Sequence, residues 1–133
     1  MFLKKASKPQ SRIDSLIGAG TRITGDIAFS GGLRVDGEVH GNVRATGDGP
    51  STLVISEHAR VEGEVSVSHV VVNGTVVGPI ASSEFLELQP KARVTGDVEY
   101  NTIEIHLGAI VQGRLVHQGA SAKSVELKLA SSN

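Results

Sequence analysis

A seven-residue phrase, Ala92-Arg93-Val94-Thr95-Gly96-Asp97-Val98, constrains what this chain can become more than any other feature. It returns almost unchanged as Ala59-Arg60-Val61-Glu62-Gly63-Glu64-Val65 and more loosely throughout. Its glycines, Gly25, Gly41, Gly63, Gly78, Gly96 and Gly113, follow one another at intervals of 16, 22, 15, 18 and 17 residues. Two residues before each glycine stand Ile23, Val39, Val61, Val76, Val94 and Val111; two after stand Ile27, Val43, Val65, Ile80, Val98 and Leu115. The position four before is small in every row: Thr21, Gly37, Ala59, Gly74, Ala92 and Ala109. Counting eight back aligns Ile17, Leu33, Ile55, Val70, Leu88 and Ile105.

Within a row the apolar residues alternate with polar ones, which is the period of a half-buried strand and not of a helix. Six short rows of near-constant length predict an all-β solenoid of about six rungs, each a coil of two or three short strands stacked in parallel on the next. One row cannot stand alone. Four buried aliphatics contribute roughly 6–12 kcal/mol, whereas ordering about 17 residues costs about 1.5 kcal/mol each. Neighbouring rows must supply the difference. The glycine is predicted at a corner, where a side chain would clash or force an unfavourable φ. The segment Thr46–Ser51, TGDGPS, explains the 22-residue interval as a loop at another corner.

Composition narrows the function. Three Phe, one Tyr and no Trp leave a core of Val, Ile and Leu, and the absence of Cys excludes disulfides and thiolate chemistry. Residues 1–12 carry four basic side chains and no acid, whereas the remainder carries nine against fourteen acids. A body of that sign does not suit nucleic acid as a main ligand. The segment 1–12 reads as a disordered tail, with Met1, Phe2 and Leu3 able to enter acyl chains and Lys4 and Lys5 to sit among anionic headgroups. The solenoid is expected over 13–117. The remainder, 118–133, is a polar tail in which Val125–Leu129 alternates like a strand, either a partial seventh rung or a segment that docks on a neighbour. No apolar run reaches the roughly 20 residues of a membrane-spanning helix, and the chain is expected in the cytoplasm.

Neither end shows a polar cap or an amphipathic capping helix. Leu16 and Ile17 at the first rung, and Ile110, Leu115 and Val116 at the last, are therefore the candidate joining surfaces. Arg22, Glu38 and Arg60 share an outward column and predict an alternating-sign ladder. The five histidines fall in five columns, with His69 placed beside Glu87 and Glu104 as a solvated ladder. No catalytic residue, metal or cofactor is assigned.

With its rows TRITGDI, GEVHGNV, ARVEGEV, GTVVGPI, ARVTGDV and AIVQGRL and its MFLKK opening, the sequence resembles the bactofilins. That resemblance implies a right-handed parallel β-helix without a capping helix, polymerising end to end with itself and without a nucleotide. It further implies a cytoskeletal scaffold peripheral to the inner membrane, attached through Met1–Lys5 and recruiting cell-wall enzymes. The competing reading is a left-handed β-helix acyltransferase. Such coils hold a strict repeat, against which the intervals of 15 to 18 residues count.

Overall fold

The computed structural model describes residues 12–118. Six coils follow one another. The first holds β1 (Ser15–Ile17), β2 (Arg22–Thr24) and β3 (Ile27–Phe29); the second β4 (Gly32–Val35), β5 (Glu38–His40) and β6 (Val43–Ala45). The third comprises β7 (Thr52–Ile55), β8 (Arg60–Glu62) and the start of β9 (Val65–Val72), which runs on through the corner into the fourth. There β10 (Thr75–Val77) follows, and β11 (Ile80–Leu88) again carries the chain into the fifth coil. The fifth continues with β12 (Arg93–Thr95) and β13 (Val98–Tyr100), and the sixth holds β14 (Thr102–Ile105), β15 (Ile110–Gln112) and β16 (Leu115–His117). The described residues contain no α-helix.

Every strand pairing is parallel, and each joins residues 15 to 22 positions apart in the chain. The pairings build a three-sided β-solenoid. The second face is a sheet of six strands, β2-β5-β8-β10-β12-β15; the other two faces merge into one ten-stranded sheet because β9 and β11 belong to both. The aliphatic columns run down the inside. Val39, Val61, Val76 and Val94 line one face, Val43, Val65, Ile80 and Val98 another, and all are fully buried or nearly so. Most outward residues on the same strands are polar, with Val77 on β10 an exposed exception.

The glycine corner is the constant part of the coil: two residues separate the second face from the third in all six. A Cβ on Gly63 would lie 2.1 Å from the carbonyl oxygen of Gly41, and one on Gly41 equally close to that of Gly25. Gly63 also adopts φ 154°, in the region that glycine alone enters freely. The residue after the glycine helps to index the stack in three of the coils. Asp26 Oδ1 accepts from the Asn42 amide at 2.9 Å, Asn42 Oδ1 from the Glu64 amide at 2.9 Å, and Asp97 Oδ1 from the Arg114 amide at 3.0 Å.

The first corner varies. It holds four residues in coils one, three, five and six but only two, Asp36-Gly37 and Asn73-Gly74, in coils two and four. The four-residue corners close on a backbone hydrogen bond, as from Ala59 N–H to Ser56 O at 3.0 Å. This corrects one column of the sequence alignment: Ile17 pairs with Val35, not Leu33, and Ile55 with Val72, not Val70. Counting back from the glycine through a shorter corner slips the register by two. A slip of two keeps each side chain on its face, so the core composition is unaffected.

The third corner varies most, from Ser68 alone to the exposed loop Thr46–Gly49 with Pro50 and Ser51 behind it. Ser51 and Ser82 are buried there. Ser68 Oγ donates to the Ser51 carbonyl at 2.8 Å and Ser82 Oγ to the Ser68 carbonyl at 2.9 Å, so hydroxyls replace strand hydrogen bonds where the corner breaks the ladder.

Candidate self-association surfaces and polar clusters

The described part of the rod ends in two uncovered coils. Among the described residues β1, β2 and β3 pair only toward the second coil, and β14, β15 and β16 only toward the fifth. Each end therefore presents three open strand edges. Unpaired edges of this kind are templates for another strand.

The side chains at these ends divide into two groups. Ile17 and Leu115 terminate interior columns, but Ile17 is only 8% exposed while Leu115 is 46%. Leu16, Ile110 and Val116 lie between inward positions on their strands and point out from the sides of the rod next to its ends; Leu16 is 60% exposed. Sequence reasoning missed Ile105 and Leu107, exposed by 47% and 95%. Leu107 occupies the four-residue corner of the last coil. The signal was there, because the matching positions of the other four-residue corners are Ala19, Glu57 and Pro90, none of them a large aliphatic. The membrane candidates Met1, Phe2, Leu3, Lys4 and Lys5, and the strand candidate 125–129, lie outside the described residues.

Polar side chains form ladders on the outer faces. Arg22, Glu38 and Arg60 stand in one column as expected, with Arg22 Nε 3.7 Å from Glu38 Oε1. Arg60 turns instead to Glu62, 2.6 Å away, and His40 sits between Glu38 and Glu62 at 3.2 Å from each. Arg60, and secondarily His40, hold the Glu62 carboxyl below its ordinary range. Lys91 reaches Glu57 at 3.3 Å across the short fourth-coil corner, while Asn73 Oδ1 in that corner accepts from the Lys91 amide at 3.0 Å. Asp36 is held below the usual carboxylate range by the Ser56 hydroxyl first and Arg34 second, and Asp97 by the Arg114 amide and guanidinium.

Of the expected column of His69, Glu87 and Glu104, only the Glu87–Glu104 pair forms. His69 pairs with Phe85, and Glu87 stands between Val71 and Glu104. The cause is again the short fourth-coil corner. His106, just past β14, joins the two glutamates instead, its Nε2 lying 2.9 Å from Glu87 Oε2 and 3.5 Å from Glu104 Oε2.

A groove of about 720 Å³ lies beside the 46–51 loop, lined in part by Asp48, Ser68, His69 and Glu84. Ser68 Oγ is 3.3 Å from His69 Nδ1. The same hydroxyl is engaged by Ser51, whose amide donates to it at 2.9 Å. It serves the corner.

The comparisons agree with this architecture. BacP, a bactofilin of Myxococcus xanthus, is 29% identical over 116 residues, covering 86% of this chain but 47% of that protein, so the chain spans about half the length of that relative. BacO of the same organism is 28% identical over 102 residues, covering 77% of this chain and 78% of that protein. The Thermus thermophilus bactofilin, solved by cryo-electron microscopy as double helical filaments, superposes with a TM-score of 0.61 at 29% identity, over 76% of this chain and 98% of that one. The family model for bactofilins, described as polymer-forming cytoskeletal proteins, matches residues 15–116, from the first strand to the last, and the chain belongs to that family.

Proposed function

We propose that this chain is a self-polymerising cytoskeletal scaffold whose rods join end to end without a nucleotide. The observation that carries the reading is the state of the terminal coils of the described residues: strand edges on all three faces with no partner beyond them there, and, at the last coil, interior columns ending in the exposed Ile105 and Leu115. Stacking a coil of another molecule there repeats what each internal coil already does within the chain. Leu16 and Ile17 at one end, and Ile110, Leu115 and Val116 with Ile105 and Leu107 at the other, form the joining surfaces. Two ends that both accept a partner generate an open filament and not a closed dimer. Apart from Gly32, which opens β4, the glycines of the described residues sit at strand corners and turns, and none lies ahead of a helix that would cradle phosphate, which favours assembly independent of nucleotide.

Residues 13–117 are the polymerisation unit and residues 1–12 the targeting tail. Met1, Phe2 and Leu3 insert into an anionic membrane while Lys4 and Lys5 pair with headgroups, each basic residue adding about 1 kcal/mol. One such tail binds marginally; a filament that presents many binds firmly. The scaffold then lies on the inner membrane and gathers cell-wall enzymes that act on cell shape.

Negative-stain microscopy of the purified chain in nucleotide-free buffer is expected to show filaments. Leu115→Asp is expected to give protein with an unchanged far-UV circular dichroism spectrum and no filaments; filaments of normal length from that variant would refute the assignment of the C-terminal end. Deleting residues 2–5 should leave polymerisation intact and abolish pelleting with anionic liposomes. Unchanged pelleting would remove the tail from the account.

A further inference from the structure

Two imidazoles on this rod lie between carboxylates of adjacent coils, and their surroundings differ in charge. Around His40, the Glu38 and Glu62 carboxylates each have a guanidinium as well, from Arg22 and Arg60. Around His106, Glu87 and Glu104 are direct neighbours across the β11–β14 pairing, where like charges repel. Their polar contacts among the described residues are His106 and a long bond from the Gln89 amide nitrogen at 3.4 Å to Glu87. No lysine or arginine of the described residues contacts either glutamate. A neutral imidazole leaves two negative charges there, and a protonated one leaves a net negative charge.

We propose that Glu87, Glu104 and His106 form a site for a divalent cation of the zinc type, held by one oxygen of each carboxylate and by the imidazole Nε2, which clamps the sixth coil onto the fifth. The three candidate donor atoms all lie within 4.8 Å of one another. Ligand atoms about 2.0–2.2 Å from a tetrahedral zinc stand about 3.3 Å apart. The distances from His106 Nε2 to the two carboxylate oxygens, 2.9 and 3.5 Å, bracket that value. A 2+ ion with a neutral imidazole cancels the two carboxylates, which the imidazole alone does not do.

The supports are firm. Glu87 and Glu104 stand on paired strands, and the His106 amide donates to the Leu88 carbonyl at 2.9 Å, which ties the histidine to the fifth coil. Nitrogen with carboxylate suits zinc and its neighbours in the transition series. Calcium, which takes six to eight oxygens, and magnesium, which demands an octahedron, are poorly served by this set. The half-exposed side of the cluster leaves the fourth position to water. Because the site lies within one molecule, it does not depend on how molecules join.

Isothermal titration of Zn²⁺ into the untagged full chain tests this. One equivalent is expected to bind, with affinity reduced at least tenfold in His106→Gln and in Glu104→Gln and unchanged in His40→Gln, whose cluster already holds two guanidiniums. Zinc should raise the melting temperature of the wild type and of His40→Gln but not of the other two, while Ca²⁺ and Mg²⁺ at the same concentration should do neither. Wild-type affinity in His106→Gln or Glu104→Gln, an equal loss in His40→Gln, or no zinc uptake at micromolar concentration would each overturn the proposal. Normal circular dichroism spectra of the surface variants separate loss of a ligand from loss of fold.

Discussion

Leu88 and Ile105 are the same position one coil apart, and so are Val98 and Leu115. The first of each pair is wholly buried, whereas Ile105 and Leu115 remain 47% and 46% exposed. Nothing in the side chains accounts for that difference. Among the described residues the last coil has a neighbour on one side only, so it carries interior residues without an interior. The contrast between middle and end is thus a contrast in neighbours.

Charge substitutions should separate the two regions most strongly. Val76→Asp puts an unpaired carboxylate into the buried column of the fourth coil and is expected to abolish the folded state, a loss beyond about 4 kcal/mol. Leu115→Asp keeps its charge in contact with water and should leave a folded rod. If thermal melts of the two variants coincide, end and middle are not distinct in the way the burial suggests. Truncation gives the next largest effect. Leu88→Ala should cost about 2–5 kcal/mol by urea unfolding, while Ile105→Ala in a non-assembling background should cost about 1 kcal/mol or less. The order should reverse when the critical concentration for filaments is measured, with Ile105→Ala raising it more.

Acid makes a smaller distinction. Asp36 and Asp97 titrate below the ordinary aspartate value of 3.8 in the folded chain, so their contribution is complete above about pH 5 and is lost as pH falls through 3.8 and then through the folded values. Asp97 binds the last coil through Arg114, so hydrogen exchange at the Arg114 amide should accelerate in that window before exchange at the Val76 amide does. Simultaneous loss would make the end coil no weaker than the middle. Least affected should be Arg22→Ala, which removes an exposed pair at 3.7 Å and should shift stability by less than about 0.5 kcal/mol.

Much of this was legible in the residues because the glycine corner never changes length. Every column within a few residues of that glycine, such as Ile23 through Val111 and Ile27 through Leu115, is in register as read from the sequence. Columns reached across the first corner were not secure. A two-residue and a four-residue turn both satisfy the backbone, and alternation survives a shift of two, so hydrophobicity cannot report which is present. That ambiguity misplaced His69 beside Glu87 and concealed His106. The candidate end aliphatics could be picked out from the sequence, but which of them face outward depended on the pleat at Leu16, Ile110 and Val116. Leu107 escaped notice because it belongs to a turn and to no column.

The short, uniform separation between paired residues has a consequence for how the rod is made. With partners 15 to 22 positions apart everywhere, the chain never waits for a distant segment, and loop-closure entropy is similar for every coil. Folding can nucleate on any two neighbouring coils and advance one coil at a time, each finished edge serving as the mould for the next. Among the described residues the edge of β14, β15 and β16 carries no further coil, and in the proposed assembly it is the mould for a coil of another molecule. In that assembly, growth of the filament is the last stage of folding, continued by other molecules.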